Sequence, residues 1–492
     1  MSGLIPVFEI VYFICTILLS IYGLNSLALT LIYFFTRRPV ERNQASAGEW
    51  PSVTVQLPIY NERHVVERLI AAAAHLYYPA EKLQIQVLDD STDKTRFIAR
   101  RAVARWREAG LDIEYLHRTK RVGFKAGALA AGLARAKGEL VAVFDSDFLP
   151  SSDFLRRTVP HFSDPKVGCI QARWTHLNAD YSSLTRAQAI GIDGHFLIEQ
   201  TARSRIGLFL NFNGTAGIWR AECIRQAGGW QQDTLTEDLD LSYRAQLAGW
   251  RFLILPEVGV PAELPVQVDA LKCQQFRWAK GNTQTIFKLL IPILRSPYHP
   301  IVKLESLIHL TGYMIHPLML LILFLTPCLA AHRSTLLKFP AFFMTASMGP
   351  PLMYLTSQLV QERKDFRRLM SLPVLMVLGI GLSVNNTRAI LEAALGIESS
   401  FRRTPKFAIL NSGDRWERSF YSLPTDRYTW VELGLGLFSL GASFLLARQG
   451  WRGWPGLVFY SLGYGYVAGL SLLQAWQRRR FLRQSVSSMV GF

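Results

Sequence analysis

The sequence predicts an α/β domain of over 200 residues inserted between membrane-spanning helices. Three observations carry that expectation. Half of the 492 residues are hydrophobic, and they gather in one block near the N-terminus and several after about residue 300. The stretch between is mixed and charged, and long enough to bury a core. Within it, short apolar runs alternate with amphipathic ones, and two of the apolar runs end in acids.

Residues 4–35 carry one charge, Glu9, and are long enough to span a bilayer with tilt. No basic region precedes the run, and it exceeds the apolar core of a secretory signal, so an anchor is expected rather than a cleaved leader. The basic RRPVER that follows places that side in the cytosol and the N-terminus outside. The expected organisation is a transmembrane helix at 1–36, a cytosolic domain at 50–285 and an interfacial segment at 286–305. Two spans follow in 306–360 (306–331 and 339–360), then an interfacial or re-entrant helix and loop at 372–429. Two more spans lie in 430–475 (430–447 and 454–475), and 476–492 is a basic cytosolic tail. The block 372–395 reads as re-entrant because it carries Asn385, Asn386, Arg388 and Glu392, which are costly at bilayer depth. Counting it as a span would also put Arg402, Arg403, Lys406, Arg415 and Arg418 outside. Five spans follow, with six as the alternative. The compact loops favour a bacterial plasma membrane over a Golgi one.

The formal charge is +17, but much of it flanks the apolar blocks: Arg37, Arg38 and Arg42; Arg363, Lys364, Arg367 and Arg368; Arg478, Arg479, Arg480 and Arg483. That placement fits topology and lipid headgroups, and nucleic acid is not an expected partner. The five cysteines (Cys15, Cys169, Cys223, Cys273, Cys328) form neither CxxC pairs nor metal-ligand spacing, as suits reduced thiols in a cytosolic compartment.

In the central stretch, VTVQL (53–57), IQVLDD (85–90), DIEYL (112–116) and ELVAVFD (139–145) read as strands. PIYNE forms a loop after the first, and helices are expected over 64–76 and 93–108. Such alternation implies a parallel sheet with crossover helices, whose ligands bind beyond the carboxyl ends of the strands. Asp89, Asp90, Asp145 and Asp147 fall there. No GxGxxG follows the first strand and no GxxxxGK[ST] occurs anywhere. A nucleotide held by carboxylates, with Mg²⁺ or Mn²⁺ on its diphosphate, fits better.

Four constellations carry the chemistry, each with a bland reading beside it. Asp89-Asp90-Ser91-Thr92-Asp93 can meet a base or ribose, or simply turn the chain, with Asp93 or Ser91 capping a helix. Asp145-Ser146-Asp147 can converge on one divalent ion, although a lone DxD is common by chance. Thr236-Glu237-Asp238 reads as a helix start with Thr236 as N-cap, and equally as a preorganised base for an acceptor hydroxyl. Gln274-Gln275-Phe276-Arg277-Trp278 offers a bidentate cation for a pyrophosphate and a flat face for a sugar, or an interfacial anchor.

In order and spacing, with 35 residues (239–273) between Asp238 and Gln274, these four closely resemble the processive β-glycan synthases of glycosyltransferase family 2, the cellulose synthase superfamily. The likeness is close over about 53–280 and looks nearest to the cellulose-synthase-like mannan and glucan branch. Phe212-Asn213-Gly214-Thr215-Ala216-Gly217 and Phe401-Arg402-Arg403-Thr404-Pro405-Lys406 also resemble that branch's acceptor-site and gating-loop segments.

The resemblance implies a GT-A-type (Rossmann-like) glycosyltransferase domain between the transmembrane helices. Asp238, beside Glu237, would be the general base. Asp89, Asp90, Lys125, Asp145, Gln274, Arg277, Trp278, Thr404 and Lys406 would bind the nucleotide sugar, UDP-glucose or GDP-mannose. Asn213, Gly214, Thr215 and Trp278 would bind the acceptor, and Asp145 and Asp147 would hold Mg²⁺ or Mn²⁺. The product would be a β-linked polysaccharide, translocated through the spans. A single N-terminal span and the lack of a C-terminal receptor-like domain argue against cellulose itself. A lipid-directed enzyme adding one sugar to diacylglycerol or sphingolipid is the rival, and a transporter or inactive scaffold a more distant one. Accessory subunits and a homo-oligomer stay open.

Overall fold

The computed structural model describes residues 4–36, 50–338, 347–361, 365–399, 403–411 and 413–490. Seven strands form one sheet: β1 (Val53–Ile59), β2 (Leu83–Asp89), β3 (Ile113–His117), β4 (Leu140–Val143), β5 (Val167–His176), β6 (Gly217–Arg220) and β7 (Arg251–Ala262). Their order is β3-β2-β1-β4-β6-β5-β7. The first four are mutually parallel and alternate with helices Val66–Ala74, Thr95–Glu108 and Phe124–Leu133, as the alternation predicts.

The all-parallel expectation is corrected at β6, which runs antiparallel to both β4 and β5. Helices Ser183–Asp193 and Thr201–Arg205 lie between β5 and β6, but they do not return the chain to the far end of the sheet. The chain instead reverses at the cleft end of the sheet, where Gly214 and Ala216 take φ of 82° and 56°. The Gln171 amide then holds the carbonyls of Thr215 and Ala216 at 3.0 and 3.1 Å. This reversal brings Asn213–Thr215 to the rim that carries Asp145.

In β1 and β2 the polar residues of VTVQL and LQIQVL alternate as though one face met water, yet both faces are buried. The register places Thr54 opposite Gln84 and Gln56 opposite Gln86, and these pairs hydrogen-bond at 2.8 and 3.0 Å. A cross-strand polar ladder thus pairs groups that would otherwise be costly to bury, although Gln56 Oε1 and Gln86 Nε2 are left without a partner. Val55, Leu57, Phe144 and Phe154 fill one side of the sheet, and Trp219, Leu129 and Leu241 fill the other.

Four helices among the described residues are long and apolar enough to cross a membrane: Ile5–Phe35, Gly312–Ala331, Thr429–Arg448 and Trp454–Gln484. The span expected from residue 306 starts later, because Pro300–Leu310 is a separate helix. Helices Phe366–Gly381 and Ser383–Ala394 form a pair bent by 40°, a broken span or a re-entrant loop. In the segment expected at 339–360 the structure describes the helix Gly349–Leu359, and 339–346 lie outside the described residues, as do Arg37, Arg38, Arg42, Arg363, Lys364, Phe401 and Arg402. The long helix Val268–Arg295 leaves the sheet domain and packs on both Ser383–Ala394 and Trp454–Val490, tying the domain to the apolar helices.

Candidate active site

The carboxyl ends of β1, β2 and β4 open into one cleft, roofed by helix Val268–Arg295 and by the segment around Arg403–Lys406. Asp90, Lys125, Asp145, Asp147, Asn213, Gly214, Glu237, Asp238, Gln274, Arg277, Trp278, Thr404 and Lys406 all line it. Residues far apart in sequence therefore meet where strand-end reasoning places a ligand.

Asp89 and Thr215 do not line the cleft, and the expectation that they contact ligand is corrected. Asp89 is fully buried behind the cleft, accepting hydrogen bonds from Tyr115 Oη at 2.5 Å and the Ser91 amide at 2.8 Å. Thr215 is equally buried, and its hydroxyl accepts the Asp145 amide at 2.8 Å. Both act as struts. Asp90 faces the cleft, with its carboxylate clamped by Arg118 at 2.8 and 2.6 Å. Asp93 accepts from the Thr95 amide at 2.9 Å, and Ser91 does not cap the helix.

Asp145 and Asp147 follow β4 by one short turn. Lys125 Nζ lies 2.5 Å from Asp145 and donates to the Gly214 carbonyl at 2.8 Å. Burial opposes the lysine's charge, but the Asp145 and Glu237 carboxylates outweigh it and hold the ammonium above its ordinary range. Asp147 accepts Lys406 Nζ at 2.8 Å and the Glu263 amide at 3.1 Å. Among the described residues no group of three or more His, Cys, Asp or Glu converges as a metal cage. A small divalent cation commonly takes only one or two carboxylates and draws its other oxygens from substrate phosphates and water. Two hard carboxylates, each now neutralised by an ammonium, fit that donor set.

Glu237 and Asp238 open helix Glu237–Leu247. Thr236 holds the N-cap position but makes no capping bond, which corrects the expectation from the motif. Asp238 Oδ1 accepts the Leu239 amide at 2.9 Å, and Oδ2 faces Gly214. Burial first, and then the neighbouring Glu237 carboxylate, push Asp238 up to about 7 against the pull of Lys125. A Cβ on Gly214 would stand 2.7 Å from Asp238 Oδ2, and the residue sits at φ 82°. Gly214→Ala is therefore expected to destabilise by about 1–3 kcal/mol and to displace Asp238. Thermal unfolding together with loss of activity checks this.

On helix Val268–Arg295 the spacing i, i+3, i+4 turns Gln274, Arg277 and Trp278 to the cleft. The residues between them face elsewhere: Gln275 accepts from Tyr313 Oη at 3.3 Å, and the Phe276 ring lies under Arg388 at 4.5 Å. The segment at Arg403–Ala408 is pinned across the cleft. Arg403 meets Glu62 at 2.9 Å, and Glu263 accepts the Phe407 and Ala408 amides at 2.8 and 2.9 Å.

Apart from the Arg403–Ala408 segment, the cleft is built within residues 51–281, which match the family model described as glycosyltransferase-like family 2. The central domain belongs to that family. Among curated relatives, glucomannan 4-beta-mannosyltransferase 2 of Arabidopsis thaliana is 39% identical over 312 residues, 60% of this chain and 58% of that protein. Probable glucomannan 4-beta-mannosyltransferase 7 of Oryza sativa subsp. japonica is 44% identical over 252 residues, 50% of this chain and 43% of that protein. The chain spans about half the length of the curated relatives it matches. Among solved structures, mannosyltransferase PcManGT from Pyrobaculum calidifontis, in complex with GDP-Man and Mn²⁺, superposes with a TM-score of 0.50 at 23% identity, covering 71% of this chain and 99% of that one. The fold is thus GT-A-type, with a mixed sheet and apolar helices on both flanks.

The family-2 domain also uses residues that the motifs did not single out. Tyr60 and Glu62 line the cleft from the end of β1, with the Arg121 guanidinium 3.5 Å above the Tyr60 ring. The strand-end rule that selected Asp90 and Asp145 applies equally to this PIYNE loop. Burial raises the Glu62 carboxyl, and Arg403 opposes that shift. Glu263 and Arg118 carry no local signal, since each acts through a partner distant in sequence.

Proposed function

We propose that this chain is a membrane-integrated inverting hexosyltransferase that extends a β-linked polysaccharide from a nucleotide sugar, with GDP-mannose the first donor to test. The observation that carries the reading is Asp238. A buried carboxyl held near neutral pH opens into the same cleft as Asp145, Asp147 and the Gln274-Arg277-Trp278 face. The 4-beta-mannosyltransferase names of the relatives support the sugar and the linkage.

Arg277 and Lys125 bind the donor's diphosphate, Asp90 and its Arg118 clamp border the nucleoside, and Trp278 offers its ring to the acceptor's terminal sugar. Lys406 and Thr404 cover the donor. Asp238 takes the proton from the acceptor hydroxyl as that oxygen attacks the anomeric carbon. The bond to the diphosphate breaks on the opposite face, so an α-linked donor gives a β-linked product. Asp145 and Asp147 would hold Mg²⁺ or Mn²⁺, which when bound would supply positive charge to the departing diphosphate. Enclosure beneath the Arg403–Ala408 segment excludes water and limits donor hydrolysis. Because helix Val268–Arg295 runs from the cleft into the apolar helices, we place the domain at the cytosolic face and the growing chain's exit among those helices.

The test is a donor panel on the purified, nanodisc-held protein with Mg²⁺ or Mn²⁺, using radiolabelled GDP-mannose and UDP-glucose. High-mass label released by a β-mannanase is the expected result. Label confined to the organic phase would move the assignment to a lipid acceptor. Label that enters neither fraction from either donor would overturn the reading.

A further inference from the structure

Between the α-helices Ser183–Asp193 and Thr201–Arg205 the chain winds through a seven-residue π-helix, Gly194–Gln200. Wide turns of this kind cost hydrogen-bond geometry and recur at functional sites. None of its residues belongs to the motifs above. It is wedged between the cleft and the apolar helices: Ile198 packs with Leu29, Tyr33 and Met353. A Cβ on Gly194 would stand 2.5 Å from the Tyr354 ring.

The other side of the π-helix reaches Asn213, which lines the cleft beside Gly214 and Asp238. Glu199 Oε2 lies 3.0 Å from His195 Nδ1, and His195 Nε2 lies 3.1 Å from the Asn213 amide nitrogen. A carboxylate at Nδ1 places a proton on that nitrogen, so in the neutral ring Nε2 is the acceptor that faces the Asn213 amide. Accepting there fixes which end of the Asn213 amide is nitrogen and which is oxygen. Gln200 adds a donor at 3.4 Å to the Asn213 carbonyl oxygen and holds the Asn211 carbonyl at 2.9 Å. Glu199 also lies 4.0 Å from His309, whose other nitrogen pairs with Tyr243 Oη at 2.7 Å on the Asp238 helix. Glu199 therefore holds the Asn213–Gly214 loop through His195, and its 4.0 Å approach to His309 lies beyond hydrogen-bonding distance.

We infer that Glu199 and His195 form a positioning dyad that orients the Asn213 amide toward the acceptor's terminal sugar. The inference rests on the proposed function and adds to it a specificity element outside the motifs. The dyad acts only through Asn213 and touches no substrate.

The test uses the full chain in nanodiscs with GDP-mannose as donor and β-1,4-mannotetraose as acceptor. His195→Phe keeps a ring and removes the acceptor nitrogen. It is expected to raise the acceptor KM about five- to tenfold, the scale of one neutral hydrogen bond, while the donor KM and the slow hydrolysis of GDP-mannose stay unchanged. His195→Gln, which restores an acceptor oxygen, is expected to recover part of the loss. In an Asn213→Ala background His195→Phe should add nothing, whereas a merely structural role would add its own cost. Equal losses in donor and acceptor KM, additivity with Asn213→Ala, or an unchanged acceptor KM would each overturn the dyad. Should His195→Phe fail to bind GDP, His195→Gln alone decides, with an acceptor KM unlike that of Asn213→Ala required. Absence of transfer by the unsubstituted protein would overturn the functional reading, and the dyad's role with it.

Discussion

Asp238→Asn is expected to lower sugar transfer by about 10²–10⁴-fold while GDP still binds, because asparagine keeps the shape and cannot take a proton. The geometry is retained on both sides: Oδ1 sits at the Leu239 amide and the second atom against Gly214. The pH profile supplies an independent check. Asp238 is raised to about 7 by burial and by Glu237, and the reaction needs its ionised form. Turnover of the unsubstituted protein should therefore hold above that value and fall as pH drops through it. The residual rate of Asp238→Asn should lack that limb. Stability moves the other way. A carboxyl raised on folding penalises the folded state wherever the unfolded chain is ionised, from about pH 4 upward and most fully above pH 7. Asp238→Asn removes the penalty, so its unfolding midpoint should rise by about a few degrees at pH 8 and by less at pH 5. A variant that lost both activity and thermal stability would mark Asp238 as a structural residue.

The sheet and most of the cleft were legible because their signals are local. β1, β2 and β4 announce themselves as apolar runs, and Asp90, Asp145 and Asp147 need only be at strand ends to line the cleft. The spacing within Gln274–Trp278 is likewise read on a helical wheel. What stayed hidden depends on neighbours brought from afar. Asp89 and Asp90 are adjacent and chemically identical, and only the direction of the last β2 side chain decides which one faces the cleft. Asp89 is claimed by Tyr115 on β3, a partner that no spacing rule names. The antiparallel β6 escaped for a similar reason: helices also separate β4, β5 and β6, so the alternation alone predicts parallel neighbours, and the chain enters β6 from the cleft end through Gly214 and Ala216 at positive φ. The closing segment's anchor Glu263 becomes visible only once Lys406, Phe407 and Ala408 have crossed the cleft to meet it.

Lys272→Met is expected to cost about 3–5 kcal/mol, the usual penalty for leaving a buried charge without its partner. Lys272 lies two residues before Gln274, and its ammonium reaches Glu432 at 2.6 Å and Thr429 at 3.3 Å in the first turn of the apolar helix Thr429–Arg448. Both ionic side chains are almost fully buried, at 2% and 0% exposure. Nearby, Asp269 accepts from Ser471 at 2.7 Å, and Asn385 donates to the Lys272 carbonyl at 2.9 Å. Four separate helices thus meet at one polar knot directly behind the cleft-facing Gln274, Arg277 and Trp278. The measurement is the thermal unfolding midpoint and the yield of detergent-held protein. Glu432→Leu alone should do comparable damage by stranding the lysine. The double variant Lys272→Met/Glu432→Leu should recover most of the stability, since apolar groups of similar size can replace a buried pair at little cost. If the double variant is as unstable as either single one, the cost lies in Asp269 and its neighbours rather than in the pair. If it recovers stability while turnover stays low, the pair is retained for register: it fixes how far the Gln274–Trp278 face reaches over the donor.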